Sequence, residues 1–400
     1  MPVAFDPLDP EFRADPYPTY HRLRAEDPVH FLEFGDFFFL TRYADVAGAL
    51  DDPRLGAFSF DTMRVFTVAE AAGDDPGALA RALKHWLVVT DPPAHTRLRA
   101  LVAKAFTSRA VDVLRPRIDA LVASCLDAVA EAGRMDVMTD LARVLPVVVI
   151  AELLGVPSAD HGRFREWSQR IALALDPMYV FTAREEGDRA VVELTAYLED
   201  AVTARRRQPA ADLLSALVAA EEAGDRLSAE ELIATVVMLL FAGNETTSNL
   251  IGNGMLALLR HPGEMARLAR DPTLVRSAVE ELLRYDSPVQ SVVRVAHAEL
   301  RIGDKTVRPG QRIILNLGAA NRDPARFRDP DRLDVGRQDN RHLAFGAGIH
   351  FCVGAQLARV EAAAATGAMV RRFPGMRLAS APERRPTLLL RGLDRLPIEF

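Results

Sequence analysis

The sequence predicts a mainly α-helical chain with a minor β part. Three observations carry this: helical periodicity dominates from Ala94 to about Ala269, one stretch from Ser228 to Arg260 runs free of proline, and strand-like runs are confined to the two ends. Residues Pro2 to Pro18, rich in Pro and Asp, read as an extended surface arm. Val29 to Thr41 is dense in Phe and Leu, is split by Gly35-Asp36, and predicts a β-hairpin with a two-residue turn. Helices follow, broken at Gly133, Gly155-Val156-Pro157, Asp176-Pro177, Gln208-Pro209 and Gly224. Ser228 and Glu231 form an S-x-x-E capping box that opens the long helix, which stops before His261-Pro262. At about 1.5 Å per residue this helix spans close to ~50 Å. Its apolar stretch Leu232–Ala242 passes into Gly243-Asn244-Glu245-Thr246-Thr247-Ser248-Asn249, small and polar residues where a central helix should be most buried. Strand-like runs return at Ser291–Ala296, Glu299–Ile302 and Arg312–Leu317, and a last hairpin is expected around Thr387–Phe400.

Composition narrows the function. The 400 residues are 49% hydrophobic, enough for a large core, and no linker, repeat or low-complexity tract divides them, so a single domain over 1–400 is expected. A net charge of −6 argues against a general affinity for nucleic acid or anionic membranes and favours small-molecule chemistry. The first residues show neither a basic region nor an apolar run, as expected of a cytoplasmic protein without a membrane anchor. Cys125 and Cys352 are the only cysteines, too few for a disulfide framework, an iron–sulfur cluster or an all-cysteine zinc site.

Cys352 stands in a prepared place. Phe345-Gly346-Ala347-Gly348-Ile349-His350-Phe351-Cys352-Val353-Gly354 is a glycine-rich loop leading into the helical segment Ala355 to Arg372. A thiol at a helix N-terminus has its thiolate favoured by the dipole and by unpaired N–H groups. Such a thiolate is a nucleophile or a metal ligand; the bland alternative is a buried structural cysteine. The pattern F-G-x-G-x-H-x-C-x-G resembles the heme-binding signature of the cytochrome P-450 family at every defining position. That resemblance implies heme b with Cys352 as axial thiolate, dioxygen as cosubstrate, His350 on a heme propionate, and Phe345 and Gly346 against the cofactor. It also implies a triangular prism with the long central helix over the heme and small β-sheets.

Other segments extend the resemblance in the same order along the chain. Glu281 and Arg284, at i, i+3 on one helix face, are similar to the family's E-x-x-R pair, which with a loop arginine, here Arg332, forms a structural network ahead of the cysteine. Ala242-Gly243-Asn244-Glu245-Thr246-Thr247 resembles the oxygen-activation segment, in which Ala242 and Gly243 leave room at the cofactor while Glu245 and Thr246 serve catalysis. The chemistry explains the types: activating dioxygen consumes two protons, and a hydroxyl beside a carboxylate relays them. As a bland alternative, Gly and Thr in mid-helix let neighbouring backbone pack closely. His95 and Arg99 lie one turn apart on one helix face and, with Arg294, match propionate ligands of soluble bacterial members; Arg97 points away and reads as solvated. Arg341, His342 and Arg359 flank the heme loop, as a docking patch or as solvated charge.

The resemblance implies hydroxylation or epoxidation of a small hydrophobic molecule, in bacterial secondary metabolism or xenobiotic oxidation. With no fused reductase, electrons would come from a ferredoxin and its NAD(P)H-dependent reductase, the protein itself being a monomer. Family position places Met63, Phe66, Trp86, Val89, Met178, Val237, Leu240, Asn244, Val289, Val292 and Leu390 at the substrate pocket; in any other protein the apolar ones would be assigned to the core. Competing readings are a peroxide-driven peroxygenase, a heme-thiolate protein that binds gas or ligand without turnover, and a cysteine hydrolase. The first two have little use for Glu245 and Thr246, and the third lacks an acid to orient His350.

Overall fold

The computed structural model describes residues 6, 9–33, 36–57, 75–176, 179, 182–222, 227–387 and 390–400. Five helices carry the residues of interest: α1 (Ala94–Ala105), α2 (His161–Leu175), α3 (Ala229–Arg260), α4 (Val275–Tyr285) and α5 (Ala355–Arg372). The principal sheet contains β1 (Val29–Leu32), β2 (Phe37–Leu40), β3 (Leu55–Ala57), β4 (Ser291–Ala296) and β5 (Arg312–Asn316), in the order β1-β2-β5-β4-β3. Contacts divide the chain into two compact units, one of residues 1–56, 117–143 and 246–400, the other of 57–116 and 144–245. The chain passes from one to the other four times: inside β3, inside the helix Ser108–Ala130, between Arg143 and Val144, and inside α3.

In the first unit, β2 reads Phe37-Phe38-Phe39-Leu40 without polar alternation because both of its faces are covered. Phe38 and Leu40 pack with Val29, Leu50, Ile313 and Leu315, while Phe39 packs on the other side with Tyr17, Tyr20 and Leu23. β2 pairs with β1 antiparallel and with β5 parallel, and β4 runs antiparallel to β5. Leu32 stands opposite Phe37 and the Asp36 N–H donates to the Glu33 carbonyl at 3.4 Å, while the tip of the expected hairpin turn, including Gly35, lies outside the described residues. Asp36 takes the left-handed conformation there, at φ 57°.

The chain's end departs from expectation. Leu393–Arg395 pairs with Glu383–Arg384, whereas Pro397–Glu399 pairs with Arg377–Leu378 and with Arg134–Asp136. The last two strands therefore belong to different sheets and form no hairpin with each other. Arg134–Asp136 is a strand inside the stretch read as helical: Gly133, at φ 63°, ends the preceding helical run, and the strand's partner lies some 260 residues away. Local periodicity carries no trace of such pairing.

In the second unit, α2 packs against the helix Arg184–Arg207. Phe164 and Trp167 meet Tyr197 edge-on or tilted, and the Trp167 indole N–H donates to Glu193 at 2.7 Å. Gly187 permits the approach, since a methyl group there would sit 2.3 Å from the Ala174 Cβ. Among the described residues, no helix is long and apolar enough to cross a membrane.

Candidate functional site

Cys352 sits on a loop whose shape depends on glycine. The Gly346 N–H closes a turn onto the Leu343 carbonyl at 2.8 Å, and Gly346 and Gly348 lie at φ 69° and 64°. A Cβ at Gly348 would also meet the Leu50 carbonyl and the Asp51 carboxylate, each at 2.7 Å, so glycine is required there twice over. The Cys352 N–H then donates to the Phe345 carbonyl at 3.0 Å, and α5 begins three residues later. Cys352 and His350 are both partly exposed. Cys125, by contrast, is half-buried mid-helix; burial, assisted by Asp140, pushes its thiol up, away from thiolate chemistry.

Two consecutive carboxylates on α4 organise the chain leading to this loop. Glu281 and Arg284 are both fully buried and form a two-pronged pair at 2.8 Å. The Arg284 guanidinium also donates to the carbonyls of Asn321, Pro330 and Arg332. Glu281 further accepts from Arg337 Nε at 3.0 and 3.1 Å, from the Asn340 amide and from the Asp334 N–H. The structure thus corrects the expectation for Arg332: only its carbonyl enters the network, its side chain is exposed, and Arg337 supplies the second guanidinium. Asp329 takes the left-handed conformation at φ 45°, and its carbonyl accepts from Arg337 at 3.3 Å.

Neighbouring Glu280, which sequence reasoning passed over, holds Arg359 through two hydrogen bonds of 2.7 and 2.9 Å and His342 at 3.1 Å. Burial works to raise its carboxyl, but the bonds from His342 and Arg359 outweigh it and hold the group at about 2. His342 and Arg359 are therefore engaged internally, and neither is a freely solvated cation.

The long helix α3 begins as its capping box requires: the Ser228 N–H donates to Glu231 at 2.8 Å and the Glu231 N–H to Ser228 Oγ at 3.1 Å. Arg97, read from sequence as solvated, pairs with the same Glu231 carboxylate. Between residues 234 and 258 only Phe241, Ala242, Gly243 and Thr246 retain surface; Asn244, Glu245, Thr247 and Ser248 are buried. Positions 242, 243 and 246 share one helical face, so the helix turns a small, partly open stripe away from its packed sides. A methyl group at Gly243 would meet no described atom nearer than Ile150 at 3.7 Å, an ordinary contact, so the chain's own packing does not demand glycine there. Asn244, assigned from sequence to the substrate pocket, is buried, and its amide donates to Ser168 of α2 at 2.9 Å.

The remaining candidate residues divide by burial. His95 is buried in α1 and Arg99 is half-exposed, while Arg294 in β4 is buried and donates to the Val293 carbonyl. Val289 and Leu390 face each other across an isolated antiparallel bridge, and with Val292 and Val89 they are partly open. Val237 and Leu240 have no exposed surface, and Trp86 is stacked on Phe241 at 5.6 Å. Met63, Phe66 and Met178 lie outside the described residues. Within the first unit the donor set suits a heme: one thiol at a helix start on a glycine cradle, with the basic side chains of Arg294 and His350 in the same unit.

Comparison with known proteins agrees. The family model described as Cytochrome P450 matches residues 70–386. The cytochrome P450 monooxygenase PikC of Streptomyces venezuelae is 43% identical over 403 residues, covering 98% of this chain and 93% of PikC. The 6-deoxyerythronolide B hydroxylase of Saccharopolyspora erythraea is 39% identical over 399 residues, covering 97% of each chain. A crystal structure of CalO2 superposes with a TM-score of 0.93 at 37% identity, over 100% of this chain and 99% of that one.

Proposed function

The chain belongs to the cytochrome P450 family and is a heme-dependent monooxygenase, and from that premise we propose that it hydroxylates or epoxidises a small hydrophobic molecule of secondary metabolism, lipid- or polyketide-like in character. A ferredoxin and its NAD(P)H-dependent reductase would supply the electrons. When bound, the heme supplies the redox chemistry that activates dioxygen. Cys352 would hold it through its thiolate, Phe345, Gly346, Ala242 and Gly243 would border it, and His95, Arg99, Arg294 and His350 would pair with its propionates.

The open stripe of α3 supports this reading best. Ala242 and Gly243 present no side chain large enough to obstruct a ligand, and Thr246 adds a hydroxyl on the same face. Glu245, buried one position earlier, would pass protons to the Thr246 hydroxyl, which hands them on at that face.

Reconstitution with a ferredoxin and reductase under isotopically labelled dioxygen tests the proposal, using a panel of apolar candidates preselected by their effect on the heme spectrum. One labelled oxygen atom should enter the product. Thr246→Ala and Glu245→Gln should cut product by about a hundredfold, a magnitude expected for loss of proton transfer, while NAD(P)H consumption continues with release of peroxide. Undiminished turnover in both variants, or oxidation driven equally well by added peroxide, would refute the assigned roles.

A further inference from the structure

The cluster at Glu280 reaches the cysteine loop by a route that the propionate and oxygen-activation residues do not use. His342 Nδ1 accepts the Ala344 N–H at 3.2 Å, so its ring proton sits on Nε2 and donates to Glu280. Only 3% of the His342 side chain is exposed. Arg359, 36% exposed and long enough to extend into solvent, is instead folded back so that its guanidinium carbon stands 4.5 Å over the Phe345 ring. His342 and Phe351 approach the same ring at 6.0 and 6.3 Å between centroids. Phe345 then accepts the Cys352 N–H at 3.0 Å. The series Glu280, Arg359, Phe345, Cys352 thus runs from α4 through α5 and an aromatic ring to the backbone of the sulfur-bearing residue.

A cation kept for an acidic partner protein would stand solvated; this one is committed to a carboxylate and a ring. We propose that Arg359 is a positioning residue for the thiolate: anchored by Glu280, it clamps Phe345 and the backbone that orients Cys352, and its charge sets the local potential at the sulfur. This rests on Cys352 being the heme ligand. A charge acting at short range has a signed effect that packing alone lacks. Removing the cation leaves the Glu280 anion and disfavours the electron-rich reduced heme; neutralising Glu280 leaves the cation and favours it. Losing either partner loosens the clamp.

The test uses the heme-loaded protein, reduced under carbon monoxide, as wild type, Arg359→Met, Arg359→Lys, Glu280→Gln and Phe345→Leu. Two quantities are read: the rate at which the thiolate Soret band is lost in mild urea, and the heme reduction potential by spectroelectrochemistry. Arg359→Met should lose the band about three- to thirtyfold faster, the range a cation–π contact of this geometry implies. Arg359→Lys should fall between it and wild type, and the effect of Arg359→Met should vanish in the Phe345→Leu background. The potential should fall in Arg359→Met and rise in Glu280→Gln. Wild-type band lifetime and potential in Arg359→Met would overturn the proposal, including the case where only reduction by a ferredoxin slows, which would make Arg359 a docking cation. If Arg359→Met takes up no heme, opposite potential shifts are replaced as the criterion by Glu280→Gln and Arg359→Lys alone: an unchanged potential and band lifetime in both refutes the clamp. Absence of a thiolate band from wild type itself would instead refute the assignment of Cys352.

Discussion

Arg337→Ala should destabilise the protein by about 2–3 kcal/mol, whereas Arg332→Ala should cost less than about 0.5 kcal/mol. The Arg337 side chain is 11% exposed and donates twice to the fully buried Glu281, once to the Arg328 carbonyl, and once each to the carbonyls of Asp329 and Arg332. Breaking a buried ion pair outright costs about 3–5 kcal/mol, because a charge is left without compensation. Glu281 would keep Arg284, the Asn340 amide and the Asp334 N–H, so the charge stays partly compensated and the loss is smaller. The three carbonyls released sit at the surface end of the side chain, where water replaces the guanidinium at little cost. Arg332 offers only its carbonyl, which alanine retains. Urea titration of both variants at equal heme saturation, followed by tryptophan fluorescence and by the Soret band, gives the two values; equal saturation matters because heme binding itself adds to apparent stability. An Arg332→Ala variant as unstable as Arg337→Ala, or an Arg337→Ala variant within about 0.5 kcal/mol of wild type, would refute this assignment of the network.

Three further outcomes are expected. The bonds from His342 and Arg359 hold the Glu280 carboxyl at about 2 against an ordinary 4.5; the folded value is the lower, so its stabilisation is full above about pH 5 and disappears as pH falls toward 2, on the order of 1–2 kcal/mol after solvent screening of this part-exposed group. Glu280→Gln should accordingly show a shallower loss of stability than wild type between about pH 6 and pH 3 in urea titrations, and parallel curves would argue against the pairing. Gly348→Ala should cost about 2–4 kcal/mol, combining left-handed backbone strain with the clash against Leu50; a variant with wild-type unfolding midpoint would show that the loop is not held as described. Asn244→Leu should cost about 1–2 kcal/mol by stranding the Ser168 hydroxyl, and adding Ser168→Ala should recover part of that loss; strict additivity of the two changes would contradict the bond.

What was legible in the sequence followed from local chemistry. The ends of α3 were marked by its capping box and by His261-Pro262, and Glu281 with Arg284 by spacing on a helix. The Cys352 loop was marked by its glycines, which the fold needs for φ and for space. What stayed hidden depends on where the chain goes after it leaves regular structure. Six arginines lie between residues 322 and 341, and nothing local in the sequence marks Arg337 as the one that reaches Glu281. Glu280 was indistinguishable from a solvated helix carboxylate until His342 and Arg359, both tens of residues later, closed on it. Likewise, Asn244 is a polar residue in mid-helix whose partner lies 76 positions earlier, and Arg134–Asp136 pairs with the end of the chain. Pocket residues are the least legible, because an apolar side chain such as Val237 or Leu240, both buried, looks the same in sequence whether it lines a cavity or fills a core.

The most direct measurement is the absorption spectrum of the dithionite-reduced protein under carbon monoxide, compared between wild type and Cys352→Ala. Wild type should show the red-shifted Soret band from which the family takes its name, and the variant should lose it while Glu281, Arg284 and Arg337 keep the rest of the chain folded. A wild type without heme, or a band unchanged by Cys352→Ala, would contradict the assignment of Cys352 as the thiolate ligand.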